Sequence, residues 1–231
     1  MRVPAAILFD FDGVLADSER LHCETMAEVM DGDGPALDWA YYREHLMGLD
    51  DRGAFARLLE RAGLEASPEE IRRRVARKAA RFAQHAADGR VPALPGAPEF
   101  VRACAAARPL GLCSGALRSD IEPVLASLGL AGCFAVLVTA DDVEKSKPDP
   151  ASYRLGVARL ADAFPEAGIA AESCVAIEDT ADGIASARGA GLAVLGVATH
   201  LTADELLAAG ASAAVETLEG LGPGFLAGLL S

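Results

Sequence analysis

Two aspartates directly follow an apolar run near the start of the chain. The run extends from Ala5 to Phe9, and Asp10 and Asp12 come next with one aromatic residue between them. Such a run is typical of a buried parallel strand, and side chains two residues apart leave a strand from the same face. The two carboxylates therefore converge and repel each other unless a cation lies between them or one stays protonated. Mg²⁺ is the cation that such oxygen ligands favour. The alternative interpretation of the motif is a strand that ends in an acidic turn without a metal.

Other polar residues follow later strand-like runs. Each lies at the predicted C-terminal end of a strand or in the loop behind it: Ser114 and Gly115, Lys147, and Glu178 with Asp179. In a parallel sheet these loops open at one edge, where such sheets bind ligands. The collection supplies carboxylates for a metal, a hydroxyl beside backbone N–H groups, and a lysine. These groups can bind and split a phosphate ester.

The sequence around these residues alternates between strand-like and helix-like patterns. After the first strand, the predicted strands are Leu110–Cys113, Phe134–Val138, Cys174–Ile177, Ala193–Val197 and Ala213–Val215. The predicted helices are about Pro98–Ala107, Ser119–Leu128, Pro150–Ala163, Ala181–Ala190 and Ala203–Ala209, with a terminal helix closing the chain. This alternation indicates an α/β fold with a Rossmann-like, doubly wound parallel sheet and right-handed crossovers.

The segment between Asp17 and Arg90 contains no strand-like run. Four helices are predicted there, from Asp17 to about Met30 and at about Leu37–Leu46, Asp51–Ala62 and Ser67–Ala87. We therefore expect an α/β core made of residues 1–16 and 91–231. An all-helical domain, residues 17–90, is inserted into it as a cap.

Composition and charge exclude several classes of partner. The chain has 231 residues and a net charge of −13, which disfavours nucleic acids and anionic membranes as partners. No apolar run reaches the length of a membrane span, and the first residues do not resemble a secretion signal. Five cysteines without a Cys-x-x-Cys pair predict reduced thiols and a cytoplasmic location. We expect a monomer or a weak homodimer.

With these loops in this order, the chain resembles the haloacid dehalogenase superfamily. It is most similar to the phosphatases and β-phosphoglucomutases that carry a helical cap after the first strand. The most specific feature is the run that begins at Asp10, DFDGVLADSE, and a second is the Lys-Pro-Asp-Pro sequence that begins at Lys147. The resemblance covers essentially the whole chain.

The resemblance implies a catalytic role for each loop. Asp10 matches the nucleophile that becomes an aspartyl-phosphate, and Asp12 matches the general acid and base. Ser114, with the amide of Gly115, matches the group that binds phosphate oxygens. Lys147 matches the lysine that steadies the nucleophile and the phosphoryl charge.

The resemblance also implies a set of Mg²⁺ ligands. Asp179 and Asp10 match direct ligands, and Asp12 contributes its backbone carbonyl. Glu178 supports the metal directly or through water. Nearby charges have simpler interpretations, because Asp149 and Asp182 suit the first turn of a helix. Lys145 is a rival for the role of Lys147.

Two residues of the helical segment are candidates for substrate binding. His22 and Lys78 each share an apolar helical stripe, where a polar side chain needs a partner or an interface. The alternatives are a hydrogen-bonded core histidine and a lysine that extends along the domain edge to solvent. Relatives carry the same residue types facing the substrate, which favours the functional interpretation. The arginines between Arg72 and Arg81 are expected mostly on a solvated face, and no role is assigned to three histidines: His45, His85 and His200.

The resemblance leaves two activities open, a phosphatase and a β-phosphoglucomutase-type phosphohexose mutase. Mutases follow the serine or threonine of the second loop with polar residues that hold a distal phosphate, and here only Arg118 is available. Mutases also place an arginine a few residues after the glycine that matches Gly48. Here Asp51 stands at that spacing and Arg52 follows it. Both departures favour a phosphatase acting on a small phosphorylated metabolite, such as a sugar phosphate or a phosphoglycolate-like compound.

Further classes fit less well. Dehalogenases and phosphonatases lack the second aspartate of the first loop, and Asp12 is present. A binding protein that has lost catalysis is disfavoured because every catalytic position is filled.

Overall fold

Six parallel strands form one sheet within the part of the chain that the structure describes, residues 2–47 and 49–230. The structure is a computed structural model. The strands are β1 (Ala6–Phe9), β2 (Leu110–Cys113), β3 (Val136–Val138), β4 (Cys174–Glu178), β5 (Ala193–Val197) and β6 (Ala213–Val215). Their order across the sheet is β3-β2-β1-β4-β5-β6, and every neighbouring pair is parallel. The α/β fold predicted from the alternating sequence is confirmed.

The pairing of the central strands β1 and β4 determines where the acidic residues at their ends lie. Every residue of both strands is buried, which is why β1 contains only apolar residues. Phe9 pairs with Leu112 on one side and with Ile177 on the other. The next residue along β1, Asp10, is therefore level with Glu178.

Nine α-helices are assigned in the described residues. They are α1 (Glu19–Met30), α2 (Trp39–His45), α3 (Asp51–Arg61), α4 (Pro68–Ala87), α5 (Ala97–Ala105), α6 (Arg118–Ser127), α7 (Ala151–Ala163), α8 (Ala181–Gly189) and α9 (Ala203–Ala209). Short 3-10 helices are assigned at Pro165–Ala167, Ala171–Ser173 and Pro223–Gly228. The predicted terminal helix is present only as the last of these 3-10 helices, and it is not an α-helix. It contains Gly224 and Gly228, and each glycine weakens an α-helix by about 1 kcal/mol.

The other predicted elements differ from the structure only at their ends, by no more than two residues. The largest difference in the sheet is at β3, which was expected to begin at Phe134 and begins at Val136. Phe134 instead packs its ring edge-on against Phe9, with ring centroids 5.9 Å apart. Its apolar character reflects this packing and not a place in the strand.

The chain divides into two compact units. One consists of Met1–Asp17 with Pro92–Ser231, and the other is Ser18–Val91. The bounds predicted from the sequence lie one residue before each of these two crossings. That the second unit acts as a cap stays a prediction.

The helical unit contains α1 to α4 and no strand among its described residues. Its apolar core includes Met26, Phe55 and Leu58. α4 begins as its sequence predicts, with Ser67 accepting a hydrogen bond from the Glu70 backbone N–H and proline at the first helical position. No described helix of the chain is both long enough and apolar enough to cross a membrane.

One arginine of α4 departs from the expected solvated face. Arg74 is buried and ion-pairs with Asp33 at 2.8 Å and Glu70 at 2.7 Å. Hydrogen bonds from Arg73 and Arg74 lower the pKa of Glu70 to about 2. Arg74 therefore connects α4 to the turn after α1, which the helical periodicity alone did not indicate.

Candidate active site

Asp10 is held at the end of β1 by the strand beside it. Its backbone N–H donates to the carbonyl of Ile177 at 2.9 Å, which continues the pairing of β1 with β4. Its side chain is buried, and burial raises the pKa of Asp10 to about 6, although the ammonium of Lys147 lowers it. Because Asp10 is buried, its negative charge needs cationic partners.

Lys147 is the first of these partners. Its Nζ atom donates to Asp10 Oδ1 at 2.7 Å and to Glu178 Oε1 at 2.6 Å. Burial by itself lowers the pKa of Lys147, but the charges of Asp10 and Glu178 outweigh it and the pKa is raised. The rival Lys145 has an exposed side chain and lies 3.8 Å from Asp149. The structure therefore brings Lys147, and not Lys145, to the aspartate.

Glu178 accepts hydrogen bonds from several residues of the site. Its Oε1 accepts hydrogen bonds from Lys147 and from the hydroxyl of Tyr153, each at 2.6 Å, and its Oε2 accepts from the backbone N–H of Asp179 at 3.3 Å. Burial and then the charge of Asp10 raise its pKa. A Cβ at Gly183 would overlap this carboxylate, so the start of α8 packs directly against it. Tyr153 was not among the predicted site residues.

Asp179 is buried beside this group. Its Oδ2 lies 2.8 Å from Nδ1 of His200, whereas its Oδ1 is buried with no hydrogen-bond partner among the described residues. Burial raises the pKa of Asp179 to about 6, although the hydrogen bond from His200 lowers it. His200 had been given no role from the sequence. The sequence offered one indication of a role for His200, because it follows β5 at the edge of the sheet where the other loops open.

The acidic side chains fit a divalent cation. Asp10, Glu178 and Asp179 each offer an oxygen, and these three atoms all lie within 4.8 Å of one another. Carboxylate oxygens are the ligands of Mg²⁺, and the partnerless Oδ1 of Asp179 is a ligand atom that a cation would satisfy. The side chain of Asp12 is not in this group. The resemblance assigns the metal only the backbone carbonyl of Asp12, and this role stays a prediction.

The predicted phosphate-binding loop follows β2. The backbone N–H of Ser114 donates to the carbonyl of Val138 at 3.0 Å, and its hydroxyl accepts from the N–H of Ala116 at 3.0 Å. Ser114 is buried, whereas Gly115 is exposed and has open space where a side chain would stand. The loop therefore combines a fixed hydroxyl with an accessible stretch of backbone.

Arg118, predicted to bind substrate, is held by protein groups. Its guanidinium contacts Glu122 at 3.4 Å, Asp142 at 3.3 Å and the carbonyl of Leu137 at 3.3 Å. Asp142 also accepts hydrogen bonds from Arg159 and from both the N–H and the hydroxyl of Thr139. The contacts give Arg118 a place in an ionic network beside β3, and its binding of substrate stays a prediction.

The two candidates of the helical unit are close to one aromatic ring. The ring of His22 stacks on Phe82, with centroids 4.4 Å apart and an interplanar angle of 20°. Lys78 is fully buried, with Nζ 4.8 Å from the centre of the Phe82 ring and 3.0 Å from Asp51 Oδ2. The alternative in which Lys78 extends to solvent is therefore wrong, because its ammonium is buried on Asp51. The comparison that used Gly48 lies outside the described residues.

Comparisons with known proteins identify the family of the chain. The family described as haloacid dehalogenase-like hydrolase matches residues 4–191. Protein CbbY of Rhodobacter capsulatus is 31% identical over 198 residues, which are 82% of this chain and 83% of that protein. The phosphorylated carbohydrates phosphatase of Thermotoga maritima is 30% identical over 217 residues, which are 93% of this chain and 95% of that protein.

A solved structure of a CbbY protein has a similar fold. The crystal structure of a CbbY mutant from Rhodobacter sphaeroides in complex with xylulose-(1,5)-bisphosphate matches with a TM-score of 0.82 and 28% identity, over 95% of this chain and 96% of that chain. The matched family and these relatives are those of hydrolases. The chain belongs to the haloacid dehalogenase-like hydrolase family.

Proposed function

We propose that the protein is a Mg²⁺-dependent phosphatase that hydrolyses a small phosphorylated metabolite through an aspartyl-phosphate on Asp10. The observation that carries the proposal is the contact of Lys147 Nζ with Asp10 Oδ1 at 2.7 Å, beside the partnerless Oδ1 of Asp179. An anionic nucleophile attacks an anionic phosphate only if local cations offset the charge on both. The lysine and the acidic group support such an arrangement.

The first step transfers the phosphoryl group to the protein. A carboxylate oxygen of Asp10 forms a bond to phosphorus while the bond from phosphorus to the ester oxygen breaks. Asp12, two residues further along, gives its proton to the departing oxygen. Lys147 stays on Asp10 and opposes the build-up of negative charge. Bound Mg²⁺, with ligands from Asp10, Asp179 and the Asp12 carbonyl, would supply further positive charge at the phosphoryl oxygens.

The second step releases phosphate. Asp12 takes a proton from a water molecule that attacks phosphorus, and the bond to Asp10 breaks to return the carboxylate. The hydroxyl of Ser114 and the amide of Gly115 bind phosphoryl oxygens through both steps. Glu178 keeps Lys147 in place, since its Oε1 accepts from the lysine at 2.6 Å. It would also support a bound metal directly or through water.

The names of the relatives support the proposed substrate class. One matched protein is named a phosphatase of phosphorylated carbohydrates and another was solved with a sugar bisphosphate, which supports a sugar phosphate as the substrate here. A phosphoglycolate-like compound is the alternative. His22 and Lys78 are the proposed substrate contacts of the helical unit, which would cap the site and exclude water. The cysteines assigned in the structure are all free, which supports work in the cytoplasm. A monomer or weak homodimer stays a prediction.

The alternative is a β-phosphoglucomutase-type mutase. It would need groups for a second phosphate, and the one candidate of the second loop, Arg118, already contacts Glu122 and Asp142. This engagement favours the phosphatase.

A panel of phosphate esters, assayed with and without Mg²⁺, tests the proposal. We expect free phosphate from at least one small sugar phosphate, and only with the metal. Conversion of β-glucose 1-phosphate to glucose 6-phosphate without phosphate release would establish the mutase instead. Metal binding without turnover of any ester would contradict both activities.

A further inference from the structure

His200 lies outside every role assigned above, yet it contacts a proposed metal ligand. It follows β5, and its Nδ1 lies 2.8 Å from Asp179 Oδ2. The histidine side chain is 28% exposed and the aspartate side chain only 2%. Because a carboxylate oxygen only accepts hydrogen bonds, Nδ1 carries the hydrogen in this contact.

This contact distinguishes the two oxygens of Asp179. Oδ2 accepts from the histidine, whereas Oδ1 is buried with no hydrogen-bond partner among the described residues. Leaving a buried acceptor unsatisfied is unfavourable, so the arrangement suits a guest at Oδ1. The histidine thereby fixes which oxygen is presented to that guest.

The loop after β5 also holds the turn after β1. The hydroxyl of Thr199 donates to the carbonyl of Gly13 at 2.6 Å. Gly13 has a φ of +73°, and a Cβ there would overlap Asp179 Oδ2 and lie 3.1 Å from His200 Nδ1. The glycine backbone thus packs directly on the aspartate–histidine pair. Thr199 and His200, which are successive residues of this loop, thus contact the turn after β1 and the residue after β4.

We propose that His200 is a positioning residue that holds Asp179 with its Oδ1 directed at the metal. The inference rests on the proposed function, because it assigns a role toward the same Mg²⁺. Groups that hydrogen-bond metal ligands raise metal affinity by fixing their orientation, and their loss typically weakens binding 10- to 100-fold. Without the histidine, the carboxylate must lose rotational freedom each time a metal binds.

Metal binding by the purified full chain tests this role without relying on catalysis. The dissociation constant of Mn²⁺, used as the probe, is measured by titration calorimetry for the wild type and for three variants of His200. We expect His200→Ala and His200→Gln to bind Mn²⁺ about 10- to 100-fold more weakly. We expect His200→Asn to stay close to the wild type, because its amide nitrogen lies near the place of Nδ1. His45→Ala, which removes the partly exposed histidine of α2, should leave the affinity unchanged.

Turnover adds a second readout. With a substrate identified, His200→Ala should need more Mg²⁺ for half-maximal activity and should regain most of its turnover at saturating Mg²⁺. Because bound metal also stabilises a weakened fold, thermal unfolding of each variant without metal checks that the fold is intact.

The outcomes separate the two proposals. Equal Mn²⁺ affinity in the wild type and His200→Ala, with an active wild-type enzyme, would overturn the role of His200 alone. A loss of affinity that His200→Asn shares in full would also overturn it, because the hydrogen bond would then not be the cause. A wild-type chain that neither binds Mn²⁺ nor hydrolyses any ester would contradict the proposed function as well.

Discussion

Tyr153 and Lys147 donate hydrogen bonds to the same oxygen atom, Oε1 of Glu178, each at 2.6 Å. The ammonium also lies 5.1 Å from the centre of the tyrosine ring. The buried phenol therefore fixes both the carboxylate and the lysine. Since the lysine also contacts Asp10, a residue of α7 that never meets the proposed phosphate helps to hold the group that does.

Removing the Tyr153 hydroxyl should slow the enzyme with little change of shape. In Tyr153→Phe, Glu178 loses one donor, and we expect the turnover number to fall about tenfold, equivalent to roughly 1.4 kcal/mol. Tyr42→Phe is the matched control, since it removes a 2.6 Å contact to Glu19 in the helical unit. An equal fall in both variants would contradict a specific role for Tyr153. Steady-state kinetics and thermal unfolding provide the measurements.

Replacing Lys147 should remove most of the activity. In Lys147→Met, the ammonium between the buried Asp10 and Glu178 is lost, so one of the two carboxylates takes up a proton, and less of the phosphoryl charge is offset. We expect a loss of at least about a thousandfold in turnover, roughly 4 kcal/mol. Lys145→Met, two residues away, changes an exposed lysine and should leave the rate unchanged. Phosphate release under saturating substrate measures both, and a smaller effect at Lys147 than at Lys145 would reverse the assignment.

Gly13 and Gly32 form a second matched pair. Both have positive φ, +73° and +81°, but a Cβ at Gly13 would overlap Asp179 whereas a Cβ at Gly32 meets nothing within 4 Å. Gly32→Ala should therefore lose only the left-handed backbone term, roughly 1–2 kcal/mol of unfolding free energy. Gly13→Ala should lose more and should also bind Mg²⁺ more weakly. Denaturant unfolding and calorimetry would detect the difference, and equal losses would show that the packing on Asp179 is unimportant.

The ionic network beside β3 should contribute a pH-dependent part of the stability. Burial raises the pKa of Asp142, but hydrogen bonds from Arg159 and Thr139 outweigh it and lower the pKa to about 2. A carboxylate whose pKa is lowered on folding stabilises the fold above its unfolded value of about 3.9. That contribution disappears as the pH falls from about 4 toward 2. Asp142→Asn should thus be less stable than the wild type at neutral pH, and the difference should shrink across this acidic window in urea unfolding.

A stability difference that persists unchanged at low pH would assign the effect of Asp142 to packing instead of charge. Asp204→Asn, at an exposed first-turn position of α9, is the control for the substitution itself. It should show little difference at any pH.

The sequence was sufficient where a local pattern determines the structure. The apolar run that ends in Asp10 identified β1, and the alternation behind it predicted the parallel sheet. The partners of Asp10 followed because residues at the ends of parallel strands meet at one edge. Lys147 was separated from Lys145 only by its resemblance to the family, and the contacts at 2.7 and 2.6 Å agree with that choice.

Contacts between elements that are distant in the chain could not be predicted from the sequence. Tyr153 lies in α7, which packs against β1, β2 and β3, and its hydroxyl reaches Glu178 only in the folded chain. His200 is an isolated histidine in a loop, and nothing local shows that it contacts Asp179. Arg74 lies among other arginines of α4, and only the fold shows that it is buried against Asp33.

The formation of an aspartyl-phosphate is the central claim, and rapid acid quenching followed by mass spectrometry of the digested protein tests it most directly. During turnover of an identified substrate, the peptide that contains Asp10 should carry the mass of one phosphoryl group. Asp10→Asn should show neither this adduct nor phosphate release, although Asp204→Asn retains both. An adduct on another residue, or undiminished phosphate release by Asp10→Asn, would contradict the account.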